Sequence, residues 1–245
     1  MKKETLINVI AVLFVIGGLV WVIRYHGSYS HMQMPSPQSQ DGITITQVPI
    51  EEENYSGSEP RIEGSSMLAQ SAQEYVTTTV GEFAAQADQD VPQMRAQFGS
   101  DSPTANYTID IEAQYLPGPK YNSIVLSQYQ YTGGANGMST YKVFTADNTT
   151  GAVVQLADIL IPDQQAKFLA YVKKVLLAYK GEGMDSGDPV TFPEDVNALT
   201  MDTIQDWSMD NETLTLYFDK YAVAPGAVGA ITLPLPLSDI QKYLK

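Results

Sequence analysis

The chain contains no cysteine and only two histidines, His26 and His31, and these absences exclude several classes of function. Without cysteine there is no disulfide framework, thiolate nucleophile, thiolate metal site or lipid-modified cysteine, so the fold must rest on its hydrophobic core. Both histidines lie in a low-complexity stretch near the N-terminus. The folded region therefore lacks imidazole, which excludes Ser-His-Asp catalysis and histidine-based zinc or iron sites.

Basic residues are also scarce. The chain of 245 residues carries 14 Lys and Arg against 28 Asp and Glu, a net charge of −14. A surface of this sign disfavours nucleic acid and anionic lipid head groups, and it favours a cationic partner. For acidic charge taken alone, solubility is the simpler explanation, so the charge does not identify a partner.

One long apolar run, Leu6–Ile23, contains 18 residues without a charge. As a helix it would be roughly 27 Å long, close to the ~30 Å hydrocarbon core of a bilayer. Lys2 and Lys3 precede it, so the positive-inside rule leaves residues 1–5 in the cytoplasm and exports the rest. A cleaved signal peptide is the alternative, but the length of the run and the bulky residues that follow favour an uncleaved, single-pass membrane anchor.

The exported part divides by composition. Residues 24–42 lack apolar periodicity and are rich in Ser, Gln, Pro and Met, which predicts a flexible stalk. Residues 43–115 and residues 116–245 are predicted to form an N-terminal and a C-terminal part of one ectodomain. At this length the ectodomain is one large domain or two small, closely packed ones.

Apolar periodicity predicts an α+β fold in which hairpins form a mostly antiparallel sheet, with two long helices and a short C-terminal helix. Strict alternation over Tyr107–Tyr115 predicts a half-buried strand, and Ser65 or Ser66 is the expected N-cap of a helix that ends before Pro92. The polar stretch Glu51–Glu63 predicts a loop or a short edge segment. A helix is expected from Pro162, a loop over Gly183–Pro193, and a closing helix capped by Ser238. A hairpin is expected over Trp207–Phe218. The other expected strands are Ile43–Val48, Ile124–Thr132, Ser139–Ala146, Ala152–Leu156 and Ile231–Leu237.

Two segments resemble a known family. YTGGANGMSTYKVFTADNTTGAVVQLADIL (Tyr131–Leu160) is similar to the Gly-Gly-Ala-His hairpin and following strand of RsiV-like extracytoplasmic domains, with Asn136 where the family has histidine. LTLYFDKYAVAPGAVGAITLPLPLSDIQKYL (Leu214–Leu244) resembles that family's Tyr-Phe strand and Tyr-x-Val-Ala-Pro bend. Upstream residues resemble the companion domain that also occurs in PdaC-type peptidoglycan deacetylases. The resemblance covers about residues 43–245.

This resemblance implies a pair of domains outside the membrane, which in RsiV-type anti-sigma factors binds lysozyme. The chain is also expected to depart from the family, because five cytoplasmic residues cannot hold a sigma factor and no deacetylase part follows residue 245. The expectation is therefore a binding module without the family's usual output. Because Asn136 replaces histidine, a role that needs an imidazole in that loop is not expected here.

Five residues are the candidate binding residues. Gly133, Gly134 and Asn136 form a predicted exposed loop, and Tyr131 and Tyr221 offer rings that can stack on a sugar or a partner. The alternatives are a hairpin connection that needs glycine torsions, and tyrosines that only pack in a core or on a sheet. We expect no catalytic residue, no metal ligand and no cofactor, although the acidic loop around residues 182–188 leaves calcium open.

The function expected from the sequence is extracytoplasmic binding without catalysis, in the envelope of a bacterium. The expected partner is a basic protein such as lysozyme, or a cell-wall glycan, besides the lipid bilayer at residues 6–23. An enzyme that acts on glycan through paired carboxylates remains an alternative, since such chemistry needs no histidine. A structural module that docks a neighbouring membrane protein is a third.

Overall fold

The computed structural model describes residues 38–100, 102–181 and 187–245. The predicted anchor Leu6–Ile23, most of the predicted stalk and loop residues 182–186 lie outside these ranges. Of the helices within them, none is both long enough and apolar enough to cross a membrane.

Six strands form the larger sheet, in which neighbours in space are also neighbours in sequence. All pairs are antiparallel except β3 and β4, which run parallel. The prediction of an α+β fold with a mostly antiparallel sheet is therefore confirmed. The strands are β1 (Gln38–Gln40), β2 (Ile43–Glu51), β3 (Tyr55–Glu63), β4 (Tyr107–Leu116), β5 (Tyr121–Tyr131) and β6 (Met138–Asp147).

Helix α1, Met67–Phe98, covers one face of this sheet. Ser66 caps it as predicted, since its hydroxyl accepts a hydrogen bond from the amide of Ala69 at 3.2 Å. The apolar side of the helix packs on the alternating apolar residues of β4. Its buried residues are Leu68, Ala69, Ala72, Val76, Phe83, Ala87 and Val91.

The predicted end of this helix, before Pro92, is wrong. Proline removes one amide donor from the helix, but the contacts of the last two turns outweigh that loss. Val91 is fully buried against the sheet. Arg95 donates from Nη1 to Oδ1 of Asn54 at 3.1 Å and from Nη2 to the carbonyl of Glu53 at 2.8 Å. These bonds hold the end of α1 to the loop between β2 and β3.

The prediction of a loop or short edge segment at Glu51–Glu63 is also wrong, because Tyr55–Glu63 forms an interior strand. Its ladder with β4 covers only Tyr55–Ser58 and stops before Pro60, which has no amide hydrogen to donate. The polar composition of this segment did not predict a strand, because the strand is stabilised by pairing with β2 and β4, which lie elsewhere in the sequence. The end of the predicted stalk is structured as well, since residues 38–42 form β1 and an Asp41-Gly42 turn with φ of 52° and 75°.

The smaller sheet contains β7 (Trp207–Met209), β8 (Thr213–Phe218) and β9 (Ile231–Pro236), all antiparallel. Short helices pack on it around a second hydrophobic core. Two local predictions fail here: the strand at Ala152–Leu156 is reduced to one bridge at Val153, and Pro236 rather than Ser238 is the N-cap of the last helix. The loop predicted over Gly183–Pro193 is found at its described residues 187–192, and Pro193 begins a helix. The helices are α2 (Leu156–Ile159), α3 (Gln165–Leu177), α4 (Pro193–Ala198) and α5 (Leu237–Ile240).

The two cores meet where β7 lies against β5 and β6. Trp207 packs edge-on against Tyr121 of β5, with ring centroids 5.4 Å apart. The buried hydroxyl of Thr145 donates to the carbonyl of Trp207 at 2.6 Å and lies 2.8 Å from the hydroxyl of Ser123. The predicted boundary at residue 115 falls near the end of β4, and the division into two parts stays a prediction.

Candidate functional site

Described residues cover only part of the face of the larger sheet that points away from α1. The smaller sheet buries the end that contains Ser123 and Thr145. The remaining part, which we call the open sheet face, carries half-buried and exposed polar and aromatic side chains. Directly paired residues share a face, so the register arranges them in three rows. The rows are Ser56–Thr108–Tyr131, Ser58–Asp110–Tyr129–Ser139 and Glu112–Ser127–Tyr141.

Hydrogen bonds hold Asp110 in place at the centre of this face. The hydroxyl of Ser58 donates to Oδ1 of Asp110 at 3.0 Å, and Nε2 of Gln47 donates to that hydroxyl at 3.0 Å. Gln47 Nε2 also donates to the carbonyl of Ile111 at 2.8 Å, just beyond the point where β3 stops pairing with β4. The Asp110 carboxylate is therefore oriented before any partner arrives.

Like charges and weakly acidic hydroxyls lie next to each other on the open sheet face. Loss of solvation raises the pKa of the Glu112 carboxyl, and repulsion from Asp110 raises it further. Because the Glu112 side chain is exposed, its loss of solvation is limited, and repulsion from Asp110 is the more direct cause. Burial raises the pKa of Tyr129, and Tyr131 and Asp110 add to that rise against a hydrogen bond with Gly137. A cation placed on this face would relieve the repulsion.

The predicted recognition loop connects β5 to β6 at one end of the open sheet face. Gly134 and Asn136 are exposed, while Tyr131 is the last residue of β5 and pairs with Thr108. Gly133 has φ of 84°, and a Cβ there would lie 2.4 Å from the carbonyl oxygen of Thr104. The glycine is therefore required for close packing, which agrees with the structural interpretation of the loop.

The structure brings Tyr221 beside the base of this loop through its neighbour Lys220. Lys220 donates from its amide to the carbonyl of Ser139 at 2.9 Å and from Nζ to the carbonyl of Gly137 at 2.7 Å. Tyr221 is 50% exposed and has φ of 71°, an unusual value for a bulky residue. Its ring fills the space that a side chain on Gly226 would need. That these predicted residues bind a partner stays a prediction.

Sequence reasoning missed Lys220, Asp110 and Glu112. The alternation of Tyr107–Tyr115 identifies Asp110 and Glu112 as residues that point away from the core. It does not reveal that tyrosines of β5 and β6 stand beside them, because that depends on register. Lys220 carried no signal in the local pattern.

Two carboxylates cover the outer edge of β6. Oδ1 of Asp206 accepts from the amide of Val143 and Oδ1 of Asp219 accepts from the amide of Tyr141, each at 2.7 Å. Lys142 forms an ion pair with Asp206 at 3.3 Å. Both aspartates line a shallow cleft of about 300 Å³ beside Tyr217. Satisfying the edge amides in this way blocks strand addition at β6.

Replacing Asp219 tests this role. Burial raises the pKa of the Asp219 carboxyl and Asp206 raises it further, against the Tyr141 hydrogen bond and Lys142. A raised folded-state pKa means that ionisation of Asp219 opposes folding above that pKa, and that this cost disappears as pH falls through it. Asp219→Asn keeps an acceptor for the Tyr141 amide but cannot ionise. We therefore expect the melting temperature of this variant, relative to that of the wild type, to be higher at pH 7 than at pH 4.

Asp219→Ala is the matched variant for the same experiment. It leaves the Tyr141 amide without its acceptor, which we expect to cost about 1–3 kcal/mol at both pH values. Circular dichroism melts of the three proteins measure the difference. If alanine and asparagine at this position behave alike, Asp219 does not hold the β6 edge.

A second cleft, of about 430 Å³, lies at the end of the hairpin formed by β2 and β3. Glu51, Glu52 and Glu59 line it together with Tyr55. Burial raises the pKa of Tyr55, and nearby carboxylates, Glu52 first, raise it further. This cleft is acidic, but Tyr55 is the one aromatic residue among its lining side chains.

Metal binding finds no support in the described ranges. No group of three His, Cys, Asp or Glu side chains there is placed to hold an ion. Oδ1 of Asp147 accepts from the amides of Thr150 and Thr149, both at 2.9 Å, and these bonds lower the pKa of Asp147. Of the acidic loop at residues 182–188, for which the sequence leaves calcium open, residues 182–186 lie outside the described ranges.

Comparison with known proteins finds a family match in the C-terminal part of the chain. Residues 157–238 match the model of a family described as a protein of unknown function, DUF3298. Over 128 residues, half of this chain, it is 27% identical to the peptidoglycan-N-acetylmuramic acid deacetylase PdaC of Bacillus subtilis, of which it spans only 26%.

Solved structures show the same fold. A member of the DUF3298 family from Bacteroides fragilis superposes with a TM-score of 0.56 at 15% identity, over 87% of this chain and 96% of that one. A DUF3298 family protein from Pseudomonas aeruginosa gives 0.51 at 17% identity, over 87% and 95%. Together with the family match at residues 157–238, these likenesses confirm the resemblance found in the sequence, which is to the DUF3298/PdaC-like domain family.

Proposed function

We propose that this protein is a non-catalytic binding module of the bacterial cell envelope, anchored by residues 6–23 with its C-terminal part outside the membrane, and that it engages a basic protein. The observation that carries the proposal is the charge of the part built from the first four strands and α1. Residues 38–116 contain thirteen Asp and Glu against two arginines, Arg61 and Arg95. Arg95 is already bonded within the fold.

This imbalance favours a protein rich in lysine and arginine, because complementary charge accelerates encounter and selects partners. The sharpest version of the proposal is lysozyme, as the family resemblance implies. Glycan remains the other partner class, since PdaC by its name acts on peptidoglycan.

Calorimetric titration of the full-length protein in detergent with a basic lysozyme, at low and at physiological ionic strength, tests the proposal. We expect one-to-one binding with a dissociation constant of about 1 μM or tighter, weakened only in part by salt. Lysozyme with succinylated lysines is the control, because its charge is reversed. Absence of heat, or binding that salt abolishes, would show that the acidic charge serves solubility.

One observation favours the alternative of a glycan-acting enzyme. Asp206 and Asp219 share a cleft and bind amides two residues apart on β6, which sets their carboxyl groups roughly 7 Å apart. Inverting glycosidases need a separation of ~6.5–9.5 Å. Peptidoglycan cleavage that Asp206→Asn or Asp219→Asn abolishes would support the enzyme over the binding module.

A further inference from the structure

We propose that the open sheet face is the surface that receives the basic partner, with lysine or arginine side chains of the partner lying between its carboxylates and tyrosine rings. This inference rests on the proposed function and deepens it by naming the surface. Nothing in the sequence pattern singled out this face, because its members come from four strands and meet only through register.

The first argument is chemical composition. Two of the three rows contain both a carboxylate and a phenol ring: Asp110 stands beside Tyr129, and Glu112 and Tyr141 lie on either side of Ser127. A lysine or arginine can pair with the carboxylate and stack on the adjacent ring. Tyrosine is enriched at protein interfaces and among the residues that dominate their binding energy. A sheet that presents both groups side by side therefore suits a folded basic protein.

The second argument is preorganisation. Asp110 is held by Ser58, which Gln47 holds in turn, so this carboxylate loses little freedom on binding. Repulsion between Asp110 and Glu112 is present in the free protein and would be relieved by an incoming cation. Tyr217 of β8 packs edge-on against Tyr141, with centroids 5.2 Å apart, and adds a fourth ring at the side of the face.

The third argument concerns the neighbouring surfaces. The edge of β6 next to this face is occupied by Asp206, Asp219 and Lys220, so a partner cannot add a strand there. The cleft at the end of the β2–β3 hairpin offers three glutamates but a single ring. Of the two acidic surfaces, the open sheet face alone combines fixed charge with several aromatic contacts.

Paired charge-removal variants test the inference. Asp110→Asn with Glu112→Gln removes two charges from the open sheet face, and Glu51→Gln with Glu52→Gln removes two from the hairpin end. The probes are the basic lysozyme and, independently, an octalysine peptide. We expect the first pair to weaken binding of both probes by roughly three- to tenfold, and the second pair by less than about twofold. Melting temperatures of both pairs verify that the fold is intact.

Hydrogen–deuterium exchange with octalysine locates the contact without relying on lysozyme. Protection of peptides from β4 and β5 supports the inference even if lysozyme fails to bind, in which case only the lysozyme version of the proposed function falls. Equal losses in both variant pairs, protection confined to residues 51–59, or no octalysine binding would each overturn the surface assignment. Binding of an N-acetylglucosamine oligomer at this face without octalysine binding would replace the basic protein by glycan.

Discussion

Replacing Gly57 with alanine should destabilise the protein by about 3 kcal/mol or more, which lowers the melting temperature by roughly 6–12 °C. Gly57 lies where β3 runs parallel to β4, opposite Ile109, and its φ is 143°. A Cβ at this position would lie 1.8 Å from the carbonyl oxygen of Ile109. Since backbone forms both sides of this contact, no side-chain rotation can relieve it, and β3 must separate from β4.

Gly151→Ala is the matched control for this effect. Gly151 also has a positive φ, of 71°, but no heavy atom lies within 4 Å of the position of an added Cβ. Its replacement should cost only the backbone strain of an alanine in the left-handed region, about 1–2 kcal/mol. If the two variants melt at the same temperature, the close approach of β3 to β4 is not what requires Gly57.

Replacing Trp207 with alanine is expected to have the largest effect of a single truncation, about 3–5 kcal/mol or roughly 6–20 °C in melting temperature. Trp207 is 1% exposed and fills the space between the smaller sheet and Tyr121 of the larger one. Removing the indole leaves a cavity that rigid strands on both sides cannot close. Both sheets should lose stability together, in one transition measured by far-ultraviolet circular dichroism.

Phe98→Ala provides the control for loss of an aromatic ring. Phe98 ends α1 and is 58% exposed, so its truncation should change stability by less than about 0.5 kcal/mol. Two separate transitions in the Trp207→Ala protein would contradict the role of Trp207 as the contact that couples the two cores.

The candidate site shows how far local sequence can lead. Tyr131 and the glycine loop were found because a hairpin connection and an exposed ring have local signatures. Tyr221 was found for the same reason, but its position beside the loop depends on two bonds from Lys220 to β6 that no local pattern encodes. Asp110 and Glu112 could be assigned to the outer side of β4, yet not to the tyrosines beside them.

By itself the sequence determined the absence of thiol and imidazole chemistry from the fold, the acidic charge, and the elements whose apolar period is strong, such as Tyr107–Tyr115 and the start of α1 at Ser66. These properties depend on composition or on neighbours within one or two helical turns. The tertiary structure decided the rest: the strand Tyr55–Glu63 exists because β2 and β4 pair with it, and α1 continues past Pro92 because Arg95 and Val91 find partners far away in sequence. Long-range pairing can outweigh a weak local preference, because the free energy gained from one backbone hydrogen bond or one buried side chain is as large as the free energy by which local propensity disfavours the structure.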